Sequence, residues 1–263
     1  MDQGRLDEAI QTYYTELFDE GARLTARSAQ GRLEFERTQQ IVRAATPAPA
    51  RVLDVGGATG VHAAALADAG YEVVLVDPVQ SQVAKAARHA TFMTSVGDAR
   101  NLDFPNDSFD AVLMAGPLYH LTDYGDRLQA LSEARRVCRP DGFVHAAAIP
   151  RFAAFAAAAL YTDALAAAPE ACVDLLLHGT PLPEARFPGG HFHTAEELRD
   201  EMSAAGIRNV TIAGLEGPAG IALESEPSDS EADLAAALQL ASSFEYSARL
   251  RELSNHLLGS GTA

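Results

Sequence analysis

The chain has 263 residues, of which 48% are apolar, and a formal net charge of -16. That composition allows a sizeable core within one large domain and excludes wholesale disorder. The acidic balance disfavours nucleic acid and anionic membranes as partners, because both demand a basic surface.

Residues 1–45 read as N-terminal helices that cover an active site. Leu6, Ile10, Tyr13, Tyr14 and Leu17 fall at helical spacing with Gly21 as a stop, and Leu33, Phe35, Ile41 and Val42 repeat the pattern. "TPAPA" then breaks the helix. From 46 to 150 short apolar runs alternate with amphipathic stretches: "RVLDVG", "YEVVLVD", "FMTSVGDA", "FDAVLMAG" and "FVHAAAI" are the expected strands. The last of these should follow a helix closed by a Pro-Asp-Gly turn, "RLQALSEARRVCRPDG". Such alternation predicts a doubly wound α/β fold with a parallel sheet covered on both faces, its strand C-termini forming one ligand-binding edge.

Residues 151–193 break the alternation and read as a helical cap with a Pro/Gly-rich loop, "HGTPLPEARFPGG". Phe152, Phe155, Ala159 and Leu160 share a rough stripe there, an expected apolar wall for an acceptor molecule. Residues 194–263 resume the core: Thr194 and Glu197 form a capping box, "RNVTIAGLEG" is a sixth strand, "ESEPSDSEAD" an acidic loop before a helix, and "HLLGSG" a last strand. Cys138 and Cys172 make no disulfide framework and read as small buried hydrophobes. "MDQGRLDEAIQTYY" has no basic-then-apolar signal pattern and no run reaches the roughly 20 apolar residues of a membrane span, so a soluble cytoplasmic protein, monomer or homodimer, is expected.

The chemistry concentrates at the ends of the first strands. "DVGGATG" places glycines at Gly56, Gly57 and Gly60, with Ala58 between them, in a strand-to-helix turn. This spacing does not match the G-x-G-x-x-G that seats a dinucleotide pyrophosphate. Asp54 would repel a pyrophosphate, but it suits a ligand carrying an ammonium or sulfonium. Asp77 is placed to accept from ribose hydroxyls, and Asp98 from an exocyclic amine. Three acids at three successive strand ends describe a site for a cationic nucleoside.

"VLDVGGATG", "VVLVDP", "VGDARNLDFPNDSFDAVLMAGPLYHL" and "EARRVCRPDGFV" together resemble the class I S-adenosylmethionine-dependent methyltransferases, of the bacterial small-molecule type, over roughly residues 51–150. The resemblance implies a Rossmann-like seven-stranded sheet of order 3-2-1-4-5-7-6 with an antiparallel last strand. It further implies that Gly56, Gly57 and Gly60 line the methionine moiety, with Asp54 holding the turn or the amino group. Asp77 and Pro78 would lie at ribose and adenine, Asp98 and Ala99 at the adenine edge, and Ala115 and Gly116 beside the methyl group. Ala58 departs from the family's usual central glycine, and its methyl is tolerated there if φ is negative.

Methyl transfer from an activated donor chiefly needs a positioned nucleophile and exclusion of water. A small, partly hydrophobic acceptor is therefore expected, with Tyr119 and His120 as catalytic candidates just past the fourth strand. Tyr13, Tyr14, Phe152, His191 and His193 are candidates for acceptor contacts, and Arg37 for the donor's carboxylate. His191 and His193 show no third ligand at helical spacing, so no metal is expected. A protein or RNA methyltransferase and a non-catalytic S-adenosylmethionine-binding protein stand as alternatives.

Overall fold

The computed structural model describes residues 2–183, 187–226 and 230–263. Residues 184–186 of the expected Pro/Gly-rich loop and 227–229 of the acidic loop lie outside the described residues.

Seven strands form one sheet: β1 Arg51–Val55, β2 Glu72–Asp77, β3 Met93–Val96, β4 Phe109–Met114, β5 Cys138–Ala148, β6 Arg208–Gly214 and β7 Leu257–Thr262. Their order is β3-β2-β1-β4-β5-β7-β6, as the resemblance implies. The first five pair in parallel, and β7 runs antiparallel between β5 and β6. Side chains alternate across the pleat, so neighbours in one strand feed different cores. Leu53, Val55, Val74 and Val76 pack on one face with the helices Tyr124–Val137 and Ala195–Ala204. Val52, Val73 and Leu75 pack on the other, against Ala63 and Leu66 of the helix Val61–Asp68 and Val42 of the helix Ala29–Ala45. Both cysteines are buried and free. Among the described residues no helix is long and apolar enough to cross a membrane.

Three local readings need correcting. The first expected helix ends at Thr12, followed by a wider π turn, Tyr13–Leu17, and a second π turn, Arg23–Arg27. Leu17, placed on the apolar stripe, is 70% exposed as a result. Wider turns of this kind shift register by one residue and are frequent at functional sites. Near 140 the helix stops at Val137 and Pro140-Asp141-Gly142 lies within β5, where the register against β4 shifts and Asp141 takes a φ of 63°. In the cap, Phe152 and Leu160 face solvent, so the expected apolar stripe is not an inner wall. The Thr194/Glu197 capping box forms as expected.

Candidate functional site

A cavity of about 250 Å³ opens at the C-terminal ends of β1, β2 and β4. Its floor is the β1 loop. Gly56 and Gly60 take φ of 73° and 83°, which suits glycine, and a Cβ at Gly57 would fall 2.7 Å from Asp54 Oδ2. Ala58 also has a positive φ, 46°, and not the negative value that suits an alanine. A left-handed backbone costs a non-glycine residue roughly 1–2 kcal/mol. The loop offsets that cost by donating the Ala58 N–H to Asp77 Oδ2 at 2.9 Å, while Asp77 Oδ1 accepts from the Val79 N–H at 2.8 Å. Asp77 thus holds the glycine loop as well as facing the cavity.

Asp54 is wholly buried, and neither carboxylate oxygen has a hydrogen-bond partner. Burial, with the neighbouring charge of Asp77 and against the pull of the nearby Ala63 N–H, pushes it up to about 7. Burial likewise pushes Asp77 up to about 6, against the pull of its two backbone donors. Two buried acids with no cation beside them form an incomplete electrostatic set that a cationic ligand would complete. Asp98 differs. Burial alone would raise it, but bonds from the Arg100 side chain and N–H hold it below the usual carboxylate range. Arg100 also reaches Asp126 and Asp7, so Asp98 belongs to an ion-pair network at the cavity's edge. Pro78, Ala99, Ala115 and Gly116 line the same cavity.

The N-terminal segment lies over this edge. Gln3 bonds the His120 carbonyl and the Thr122 N–H, Gln11 bonds the Pro78 carbonyl, and Gln82 bonds the Tyr14 carbonyl. Tyr14 Oη lies 3.0 Å from His120 Nε2, and His120 Nδ1 lies 2.7 Å from the Pro188 carbonyl oxygen. A carbonyl only accepts, so Nδ1 carries the proton and Nε2 accepts from the Tyr14 hydroxyl. Both ring nitrogens are engaged, and burial pushes His120 down to about 4. His120, a catalytic candidate from the sequence, is therefore placed as the hydrogen-bond partner of Tyr14. Tyr119 donates its hydroxyl to the Ala115 carbonyl at 2.7 Å. Tyr13 lines neither cavity and stacks on Phe18, ring centres 5.0 Å apart.

A second chamber of about 440 Å³ adjoins the first. Tyr14, Glu20, Arg23 and Tyr119 line both. Phe18, Tyr161 and Phe187 extend its aromatic side, and Gln30, Asn255 and His256 its polar side. Arg23 bonds Glu20 and Glu34 together, and His256 donates toward Glu216 at 2.7 Å. Opposed charges hold this buried group: burial of Glu34 is outweighed by Arg23 and His256, which bring it to about 2, and the carboxylates raise His256 in turn.

Four expected contacts lie elsewhere. Arg37 is absent from the cavity wall; it is buried against Glu245 and Gln40. The second π turn brings Arg23 to the wall instead. Phe152 is 40% exposed and lines neither chamber. His191 and His193 also lie outside both chambers. The fold supplies the third group that sequence spacing missed, Glu201, 3.2 Å from His193 Nε2. Arg127 already grips both Glu201 oxygens, so the cluster is built as an ion pair. Arg23 occupies Glu34 in the corresponding Glu34/Glu216/His256 group. Glu20, Arg23, Glu34 and His256 were missed because a π turn sets the register of the first three and the fourth arrives from the far end of the chain.

Residues 52–142 match the protein family described as Methyltransferase domain. Over 184 residues the chain is 30% identical to a malonyl-[acyl-carrier protein] O-methyltransferase of Geobacter sulfurreducens, covering 68% of this chain and 63% of that protein. It is 40% identical over 93 residues to a demethylmenaquinone methyltransferase of Beutenbergia cavernae, 35% of this chain and 38% of that one. The chain therefore spans less than two thirds of the length of either relative. A solved S-adenosylmethionine-dependent methyltransferase structure from Thermotoga maritima superposes with a TM-score of 0.61, covering 97% of this chain and 98% of that one at 19% identity. That likeness concerns the fold.

Proposed function

We propose that this chain, which carries a class I methyltransferase domain, is an S-adenosylmethionine-dependent methyltransferase whose acceptor is a small, partly hydrophobic molecule. One observation carries the reading: a cavity floored by the glycine loop and the unpaired Asp54 carboxylate opens directly into a second, aromatic-sided chamber. A cationic donor and an apolar acceptor would there meet at Tyr14 and Tyr119.

The donor site fits S-adenosylmethionine on its own residues. Asp54 supplies the buried anion that an ammonium or sulfonium requires, Gly56 and Gly57 let backbone approach closely, and Asp77 keeps free lone pairs for ribose hydroxyls. When bound, the sulfonium supplies an already activated methyl group. What remains for the protein is placement and exclusion of water. The N-terminal segment is suited to both: its Gln3 and Gln11 clamp it across the strand ends, Gln82 holds the Tyr14 carbonyl, and Tyr14 reaches the junction of the two chambers. The net charge of -16 supports a small-molecule acceptor over RNA.

Calorimetry with S-adenosylhomocysteine tests the donor half, with micromolar affinity expected. Heat from a nicotinamide dinucleotide and none from S-adenosylhomocysteine would overturn the reading. Transfer of radiolabel from methyl-labelled S-adenosylmethionine to extracted metabolite pools, and not to protein or RNA, tests the acceptor half.

A further inference from the structure

The junction between the two chambers has an unusual hydrogen-bonding character. Tyr14 gives its hydroxyl proton to His120 Nε2, and Tyr119 gives its own to the Ala115 carbonyl. A hydroxyl has one proton and two lone pairs, so both phenolic oxygens can only accept from anything between them. The third polar group at this boundary, the Glu20 carboxylate, is an acceptor as well. Arg23, the remaining shared polar residue, spends its Nε and Nη2 on Glu20 and Glu34 and one Nη1 bond on Glu34. Around it the charged side chains are Glu20, Glu34, Glu216 and Glu224 against Arg23, Arg27 and His256, an excess of one acid. Phe18 and Phe187 line the chamber beside the junction and supply apolar surface for the body of a ligand.

We propose that the methyl acceptor is an amine with an apolar body, its nitrogen held between Tyr14 Oη, Tyr119 Oη and the Glu20 carboxylate. This rests on the methyltransferase reading and names its substrate class. An amine brings two or three N–H donors to a pair of tyrosine oxygens and a carboxylate that can only accept, whereas a hydroxyl brings one donor and a thiol a weak one. A carbon nucleophile brings none. Tyr119 is the better placed of the two tyrosines for the reacting nitrogen, because its oxygen lies beside Gly116. The amine binds as its ammonium and sheds one proton to water in the outer chamber. Its freed lone pair then forms the new N–C bond as the C–S bond breaks. The breaking pair returns to sulfur as a thioether, and the methylated ammonium releases a second proton to solvent.

The test uses the full chain saturated with S-adenosylhomocysteine, titrated by calorimetry with phenethylamine and with phenethyl alcohol at neutral pH. The amine should bind at least about tenfold tighter, the equivalent of one charge-assisted hydrogen bond. Tyr119→Phe should lower phenethylamine affinity about tenfold and alcohol affinity much less, and Tyr14→Phe should act in the same direction if Tyr119→Phe does not fold. Equal affinities for amine and alcohol, or no amine binding at millimolar concentration, would overturn the amine assignment while leaving the donor site standing. Failure of S-adenosylhomocysteine to bind would instead remove the methyltransferase reading beneath it.

Discussion

The donor cavity and the outer chamber sit side by side but are built in opposite ways. The donor floor comes from two short loops, Asp54 to Gly60 and Asp77 to Val79, each following directly from a strand. The outer chamber is assembled from the N-terminal turns, the cap and a stretch before β7, parts of the chain more than 200 residues apart. The first is a local structure held by backbone bonds. The second is a meeting of side chains held by buried charge.

That difference can be broken most forcefully at Arg23. Arg23→Met would leave Glu34 buried beside Glu216 without its guanidinium, a loss of about 3–5 kcal/mol of stability by precedent for broken buried pairs. Chemical denaturation measures it, and a cost near zero would mean the chamber does not depend on its ion pairs. Asp77→Asn attacks the donor side: its single amide oxygen can serve only one of the Ala58 and Val79 N–H groups, and the ribose loses a charged acceptor. Affinity for S-adenosylhomocysteine should fall by about 10- to 100-fold, with a lower melting temperature from the loosened glycine loop. Unchanged affinity would put the ribose elsewhere.

A smaller effect separates the two regions by pH. Asp54 titrates at about 7 in the folded chain, against about 4 for an ordinary aspartate. Between those values the folded state holds a proton that the unfolded state has lost. Stability of the ligand-free protein should therefore gain a falling component as pH rises from about 4 to about 7, and Asp54→Asn should remove it. Over the same interval S-adenosylhomocysteine affinity should rise, since its ammonium favours the ionised carboxylate. Matching stability slopes in parent and variant would show that Asp54 is not buried as an acid. The smallest expected effect is at Ala58: Ala58→Gly should stabilise the loop by about 1 kcal/mol, after allowing for glycine's greater unfolded-state freedom. A lower melting temperature would show that the alanine geometry is relaxed.

Much of the donor side was legible in the sequence because its logic is local. Apolar runs announced the strands, and the acids at the ends of β1 and β2 do line the cavity. The geometry at Ala58 was not legible because a bond to Asp77, 19 residues on, holds it in a left-handed turn. Arg37 stood out in the sequence as a partner for the donor's carboxylate, and Arg23 did not. The π turn at Arg23–Arg27 adds a residue to the register and swings Arg23 to the cavity, while Arg37 finds Glu245 across 208 residues. His120 was recognised as near the chemistry but its role was not, since Pro188 and Tyr14 set its tautomer from opposite ends of the chain.

The place of β7 between β5 and β6 has a consequence for how the protein is made. On a ribosome, β3-β2-β1-β4-β5 can pair as soon as residue 148 has emerged, so the donor floor can form early. β6 has no neighbour until Leu257–Thr262 slides in beside it. His256, which immediately precedes that strand, reaches Glu216 and Glu34 only at this last zipping step. A nascent chain stalled short of β7 would hold a formed donor floor and an unfinished outer wall.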